Sequence, residues 1–513
     1  MVRLSRVLSY ALHGIMAETV EVEVSISRGL PSFSIVGLPE TAVRESKERV
    51  ESAVKNLKYD FPIKKITVNL APADIKKEGT ALDLPIALGI LAASGQINSS
   101  ELRETLVLGE LALDGRIRGV KGVLPASILA RDKKIKRMLV PCVNAEEAAV
   151  VGGASVYSVE SLEECIKILE NGFENPFTVD VDQIFNITSK FGIDFSDVKG
   201  QVGAKRALEI AVAGGHNVLM IGPPGSGKTM LAKRIPTILP KMNIDEAVES
   251  TRIHSVVGAL PPTIPLISKR PFRAPHHTIS YAGLIGGGTY PQPGEVSLSH
   301  NGVLFLDELP EFKRSVLEVL RQPLEDGVVT ISRAKSTITY PARFMLIAAM
   351  NPCPCGYFGD QYRQCTCTPS KIDRYRFKIS GPLLDRIDMH ITVPRVRYDD
   401  IINMEPGEDS NTIRRRVNKA REIQEERYRD VDIFFNAHLD SQKIRKYCSI
   451  GRESRELLNT AMDKFGFSAR AFDRILKMAR TIADLEGENC IKSSHIAEAI
   501  QYRTLDRKLW LTR

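Results

Sequence analysis

No stretch of the chain is apolar for long enough to cross a bilayer; the longest run, Leu84 to Ala93, is about half of what a spanning helix needs. No cleavable leader is expected either. Arg3 and Arg6 precede a short apolar stretch, but Ser9, Tyr10 and His13 interrupt it and no small-residue cleavage site follows. Cysteine is scarce, eight in 513 residues, and forms no framework along the chain. Four of the eight fall in one short segment, which suits a reducing cytoplasm better than a disulfide-stapled exterior. A large excess of one charge is also lacking: 70 Lys and Arg face 62 Asp and Glu, a net +8 that permits contact with nucleic acid without requiring it. These absences predict a soluble, cytoplasmic protein with no membrane partner. The length corresponds to about three domains, and 43% hydrophobic residues supply a core for each.

What the chain does hold is centred on Gly222, Pro223, Pro224, Gly225, Ser226, Gly227, Lys228 and Thr229, which read GPPGSGKT directly after the apolar run Val218 to Ile221. This is a Walker A sequence in its required setting of strand, glycine-rich turn and helix. Backbone N–H groups of such a turn point at a phosphate chain. Lys228 is placed to neutralise the β and γ phosphates, and the Thr229 hydroxyl to bind Mg²⁺. About 80 residues on, the apolar run Val303 to Leu306 ends in Asp307 and Glu308. As a Walker B pair, Asp307 would hold Mg²⁺ through its water shell and Glu308 would polarise the attacking water. The alternative is an acidic pair that merely caps a helix starting near Pro310.

Hydrophobic periodicity places strands at Val20 to Ile26, Phe33 to Val36, Lys65 to Leu70 and Arg137 to Val140, helices at Ala42 to Leu57 and Leu82 to Ala93, and a hairpin near Asp114 and Gly115. This predicts an α/β or α+β domain over residues 1–172, followed by a linker over 173–196. Val329, Ile331, Ile338 and Tyr340 flank a polar turn, a hairpin signal whose tip carries Arg333 and Lys335. Phe344 to Met350 reads as a buried strand ending at Asn351. Cys353, Cys355, Cys365 and Cys367 form two C-x-C pairs nine residues apart, candidate ligands of a structural Zn²⁺, although the spacing is tighter than the usual C-x₂₋₄-C and four unligated thiols are the alternative. The adjacent His276 and His277 have no third ligand at helical or turn spacing, so loop residues are the simpler reading. Beyond Asp400 the pattern is helical, with Asn411 to Arg429, Ser441 to Cys448, Arg452 to Phe465, Ser468 to Gly487 and Ser494 to Tyr502 as candidate elements.

The stretches KKEGTALDLPIA (Lys76 to Ala87) and GELALDGRIRGVKGVLPA (Gly109 to Ala126) resemble the Lon-protease-type fold that opens the magnesium-chelatase-like proteins. The positions of that family's serine and lysine hold Ala81 and Leu124, neither of which can act as nucleophile or base, so the resemblance implies the fold without proteolysis. DVKGQVGAKRALEIAVAGGHN (Asp197 to Asn217), the Walker motifs, the glycine-rich segment from Phe272 to Gly294, the hairpin, GPLLDRIDMH (Gly381 to His390) and the Ser468 to Gly487 helix together resemble the magnesium-chelatase-like AAA+ ATPases of the ComM/YifB group along essentially the whole chain. The resemblance implies an α/β multidomain protein: an N-terminal Lon-protease-like domain, an AAA+ P-loop core over 197–400 with a helix-2 insert and a pre-sensor-1 hairpin, and a helical lid over 401–513. It implies a base contact from the Val198 backbone, Asn351 as sensor 1, Arg386 as an arginine finger and Arg470 as sensor 2, reaching the γ-phosphate from the lid. A structural arginine paired with Asp385 or Asp388 is the alternative for Arg386. The implied activity is hydrolysis of ATP with Mg²⁺ by a homo-oligomeric ring, expected to be a hexamer, that moves on single-stranded or branched DNA in helicase or branch-migration steps during natural transformation. A magnesium-chelatase-type subunit and a protein-remodelling ATPase remain as alternatives.

Overall fold

The computed structural model describes residues 3–180, 185, 192–261, 264–288, 291–333, 336–396, 407–431 and 433–503. The chain forms two compact units, one of residues 1–188 with 244–268, the other of 189–243 with 269–513.

The first unit is built on seven strands: β1 (Arg3–His13), β2 (Met16–Ser27), β3 (Ser32–Val36), β4 (Lys65–Ala71), β5 (Thr105–Val107), β6 (Arg137–Pro141) and β7 (Ser155–Val159). They lie in the order β3-β4-β2-β1-β5-β6-β7. Strict alternation in β2 sends Val20, Val22, Val24 and Ile26 into the core and leaves Glu21, Glu23 and Ser25 partly exposed. Against that face packs the helix Asp83–Ser94, whose residues Leu84 to Leu91 are all buried. Gly89 lets it approach, since a Cβ there would stand 2.6 Å from Val24 Cγ2. The helix Ile244–Val257 belongs to this unit although it follows the phosphate loop in sequence. Its Ser255 accepts the Gly122 N–H at its carbonyl and donates its hydroxyl to the half-buried Glu147.

In the second unit, β8 (Val218–Ile221), β9 (Phe272–Arg273), β10 (Val303–Leu306), β13 (Met345–Met350) and β14 (Met389–Thr392) form a parallel sheet in the order β9-β10-β13-β8-β14. Strands β8, β10 and β13 are buried along their whole length, as their unbroken apolar sequences require when both faces are covered. Between β10 and β13, β11 (Val328–Arg333) and β12 (Ser336–Pro341) form the expected hairpin, with Val329 opposite Tyr340 and Ile331 opposite Ile338. The C-terminal part is helical. Ser410–Arg427, Ser441–Tyr447, Arg452–Phe465, Ala469–Glu486 and Ser493–Gln501 surround a core that includes Ile475, Met478, Ile482 and Ile496. Ser468 caps Ala469–Glu486 by accepting the Ala471 N–H, and Gly487 closes it in the left-handed conformation.

Candidate active site

The five strands share one direction, so every chain that leaves a C-terminal end emerges on the same edge of the sheet. Gly222 follows β8, Asp307 follows β10 and Asn351 follows β13, and the phosphate loop, the acidic pair and the candidate sensor therefore meet there, where parallel sheets bind ligands. Gly222 is required by crowding: a Cβ would fall 2.2 Å from the Val393 carbonyl oxygen. Lys228 Nζ donates to the carbonyls of Gly222 at 2.7 Å and Pro223 at 2.9 Å, and to Asn351 Oδ1 at 3.2 Å. Burial lowers the Lys228 pKa to about 8 despite the opposing pull of Asp307 and Glu308. Asn351 and Lys228 are thus brought together.

Thr229 Oγ1 donates to Asp307 Oδ2 at 2.6 Å. A hydroxyl that donates its proton to Asp307 keeps a lone pair for the Mg²⁺ that ATP would bring, with Asp307 placed to hold the ion's water shell. Glu308 follows in the left-handed region, φ 52°, a costly conformation for a non-glycine residue and one found at functional sites. Its Oε2 lies 3.4 Å from His277 Nδ1, while His277 packs on His276 with ring centroids 4.0 Å apart. Of the two histidines, one therefore faces the acidic pair directly.

Arg386 and Arg470 are also brought together, but elsewhere. Both line a cleft of about 460 Å³ with Glu325, Asp388 and Arg474. Arg386 is held by the Glu325 carboxylate and by the Pro382 carbonyl at 2.7 Å, and the guanidinium keeps the Glu325 pKa below its usual range. Asn217, immediately before β8, takes part in the same arrangement. Its side chain donates to the Arg386 carbonyl at 3.1 Å and accepts the Leu346 N–H at 2.8 Å, while its backbone N–H goes to Asp388 at 2.9 Å. The cleft thus opens at the N-terminal ends of the strands. The length of β8, about 13 Å, separates this end from Gly222. Sequence reasoning put Arg470 within reach of the γ-phosphate from the lid; the structure groups it with Arg386, away from its own chain's Lys228.

Val198 has its side chain in the core, leaving its backbone near Gly407, and a cleft of about 540 Å³ lined by Gly200, Lys205 and Glu408 opens beside it. Gln201, in the Gly-Gln turn of this segment, donates from Nε2 to the Ser226 carbonyl at 3.1 Å and the Pro394 carbonyl at 2.5 Å, tying the segment to the phosphate loop. Asn217 and His277 were missed. Their partners are far away in sequence, and only the Asn in front of a Walker A strand and the histidine pair offered any signal. Arg333 is exposed at the hairpin end; Lys335 lies outside the described residues. The sulfurs of Cys353, Cys355, Cys365 and Cys367 lie within 4.8 Å of one another, a candidate metal site. No helix among the described residues is long and apolar enough to cross a membrane.

A parallel sheet with the phosphate loop on one inner strand, the acidic pair two strands away, a polar residue on the strand between them and a helical C-terminal part define an AAA+ ATPase. Family models described as "Magnesium chelatase, subunit ChlI", "Subunit ChlI of Mg-chelatase" and "Magnesium chelatase, subunit ChlI C-terminal" match residues 194–401, 22–144 and 407–503. The chain is 46% identical over 510 residues to Competence protein ComM of Haemophilus influenzae, covering 99% of this chain and 98% of that one, and 45% identical over 510 residues, with the same coverage, to the protein YifB of Escherichia coli. A 150-residue stretch is 31% identical to Lon protease 2 of Bacillus subtilis, 27% of this chain and 26% of that one. The chain belongs to the magnesium-chelatase-like AAA+ ATPases of the ComM/YifB group. Its Lon-protease-like fold carries Ala81 and the buried Leu124 in place of a catalytic dyad.

Proposed function

We propose that the protein is a ring-forming ATPase, a hexamer, that converts ATP hydrolysis into movement on DNA and drives helicase or branch-migration steps in recombination during natural transformation. The observation that carries the ring is the separation of Lys228 from Arg386 and Arg470. Both arginines sit at the end of the sheet away from their own phosphate loop, so they can serve ATP only at the loop of a neighbouring copy. In that assembly Lys228 and the loop N–H groups hold the phosphates of one subunit, Thr229 and Asp307 hold Mg²⁺, Glu308 orients the lytic water and Asn351 lies beside Lys228. The neighbour's Arg386 and Arg470 meet the charge that builds on the γ-phosphate. Before that contact Arg386 must leave Glu325.

DNA as the partner is supported by the full-length similarity to a competence protein and by the basic hairpin end at Arg333. The test is ATP turnover with and without single-stranded and forked DNA across a salt series, beside electron microscopy of the particles. Stimulation by DNA that fades steeply with salt is expected. Turnover indifferent to DNA would sink the DNA reading, and the chelatase reading, which the family descriptions favour, would take its place. Particles that remain monomeric while hydrolysing ATP would sink the ring.

A further inference from the structure

The loop after Asn351 is built around sulfur. Cys353 and Cys355 lie 3.4 Å apart, Cys353 and Cys365 3.7 Å, and Cys355 and Cys365 3.6 Å. All four cysteines are free thiols. Bonds of about 2.3 Å from a tetrahedral Zn²⁺ set its sulfurs about 3.8 Å apart, whereas a disulfide would bring a pair to about 2.05 Å. These three separations match three sulfurs around one ion and exclude oxidised pairs among them, and Cys367 Sγ lies within 4.8 Å of the other three as a fourth ligand would. They leave no room for the several irons of a cluster. Cys353 is fully buried. The Cys367 N–H points at Cys365 Sγ at 3.4 Å. Between the two pairs the chain is folded independently of them: Asp360 accepts the N–H groups of Tyr362 at 2.7 Å and Arg363 at 2.8 Å, and Arg363 donates to the Tyr357 hydroxyl at 2.9 Å.

Position gives the cluster its consequence. Two residues before Cys353, Asn351 accepts from Lys228. One residue after Cys355, Gly356 lies against the phosphate loop so closely that a Cβ would stand 2.4 Å from Pro224 Cδ. Arg376 fastens the intervening carbonyl of Pro352 at 3.2 Å. A tie through the four sulfurs therefore holds a segment that touches the phosphate loop at both Pro224 and Lys228.

We propose that Cys353, Cys355, Cys365 and Cys367 bind one Zn²⁺ and that this ion staples the 351–367 loop onto the phosphate loop, fixing Asn351 and Pro224 around the nucleotide phosphates. The metal site stands on the sulfur geometry alone; its effect on nucleotide rests on the ATPase reading above.

The experiment uses the full-length, untagged protein. Elemental analysis should find about one zinc per chain, and Cys353→Ser with Cys365→Ser should abolish it. Zinc is then withdrawn from the wild type with a mercurial and a chelator and returned with thiol and ZnCl₂. Hydrogen exchange of the amides in 222–229 and 345–352 should speed up on removal and recover on return, while far-UV circular dichroism holds. Affinity for a fluorescent ATP analogue should fall about tenfold, the loss of one hydrogen bond to a charged group. Gly356→Ala should weaken nucleotide binding while keeping its zinc. Four reduced thiols without zinc, or iron in its place, would overturn the metal site. Zinc whose removal leaves exchange at 222–229 unchanged, or whose removal unfolds the whole chain, would overturn the staple. A protein that holds zinc and shows the exchange change yet binds no nucleotide would refute the ATPase reading instead.

Discussion

Lys228 carries its charge in a pocket that resists it. With a pKa lowered to about 8 by burial, the free amine passes from mostly charged to mostly neutral between pH 7 and pH 9. A triphosphate favours the charged form and raises that pKa on binding. Nucleotide binding at pH 8 should therefore take up about half a proton, and affinity should fall as pH rises beyond 8. Calorimetry in two buffers of different ionisation enthalpy measures this directly; no uptake between pH 7 and 9 would show an amine charged throughout. Lys228→Ala should abolish binding. Glu308→Gln should retain nucleotide and lose about 10²-fold or more in turnover, the contribution expected of a positioned base. His277 adds a refinement at this scale, because its ring lies 3.4 Å from the Glu308 carboxylate. His277→Ala should lower kcat with little change in nucleotide affinity, and equal losses in both would place His277 in folding rather than in catalysis.

At the scale of elements, the hairpin of β11 and β12 offers the clearest test of the DNA reading. Replacing Arg333 and Lys335 by Ala should remove the stimulation of turnover by DNA and flatten the salt dependence by about one unit for each lost phosphate contact. Unchanged stimulation would return the hairpin to the ordinary solvated surface. Elements with strong local signals are legible in the sequence: Arg452–Phe465 is found where its apolar spacing put it, and Ser468 and Gly487 bound their helix as cap residues do. The hairpin register and the strands before Gly222, Asp307 and Asn351 were equally plain, since turn chemistry and unbroken apolar runs are local properties. Contacts between distant segments were not. Nothing near Asn217 in sequence announces that its side chain joins Leu346 to Arg386, and nothing near Arg470 tells which end of the sheet its helix will cover. The helix Ile244–Val257 was missed for the same reason. Its assignment to the first unit depends on partners such as Gly122 and Glu147, more than 100 residues earlier.

For the whole molecule, the distance between Lys228 and Arg386 predicts complementation. Arg386→Ala should bind ATP and hydrolyse it about 10³ to 10⁵ times more slowly, as expected for an arginine supplied in trans. Arg386→Lys should not rescue it, because an ammonium lacks the planar fork. A merely structural pair with the half-exposed Glu325 would instead cost about 0 to 1 kcal/mol of stability. Mixing Arg386→Ala with Lys228→Ala subunits should restore part of the activity, since some interfaces then join an intact loop to an intact arginine. No recovery in rings shown to be mixed would leave Arg386 a structural residue.

The interleaving of the two units has a practical side. Residues 244–268 leave the second unit between the phosphate loop and Asp307 and join the first, where the helix Ile244–Val257 packs on the helix Val123–Asp132. A gene cut near residue 189 would therefore not yield a self-contained motor; it would express one carrying an orphaned helix whose buried face has lost its cover, and such a fragment should aggregate. Replacing 244–268 with a short glycine-serine link in the same fragment should return it to solution. The reverse cut, keeping residues 1–188 alone, should leave a domain missing part of its interior, repaired by adding the 244–268 peptide in trans.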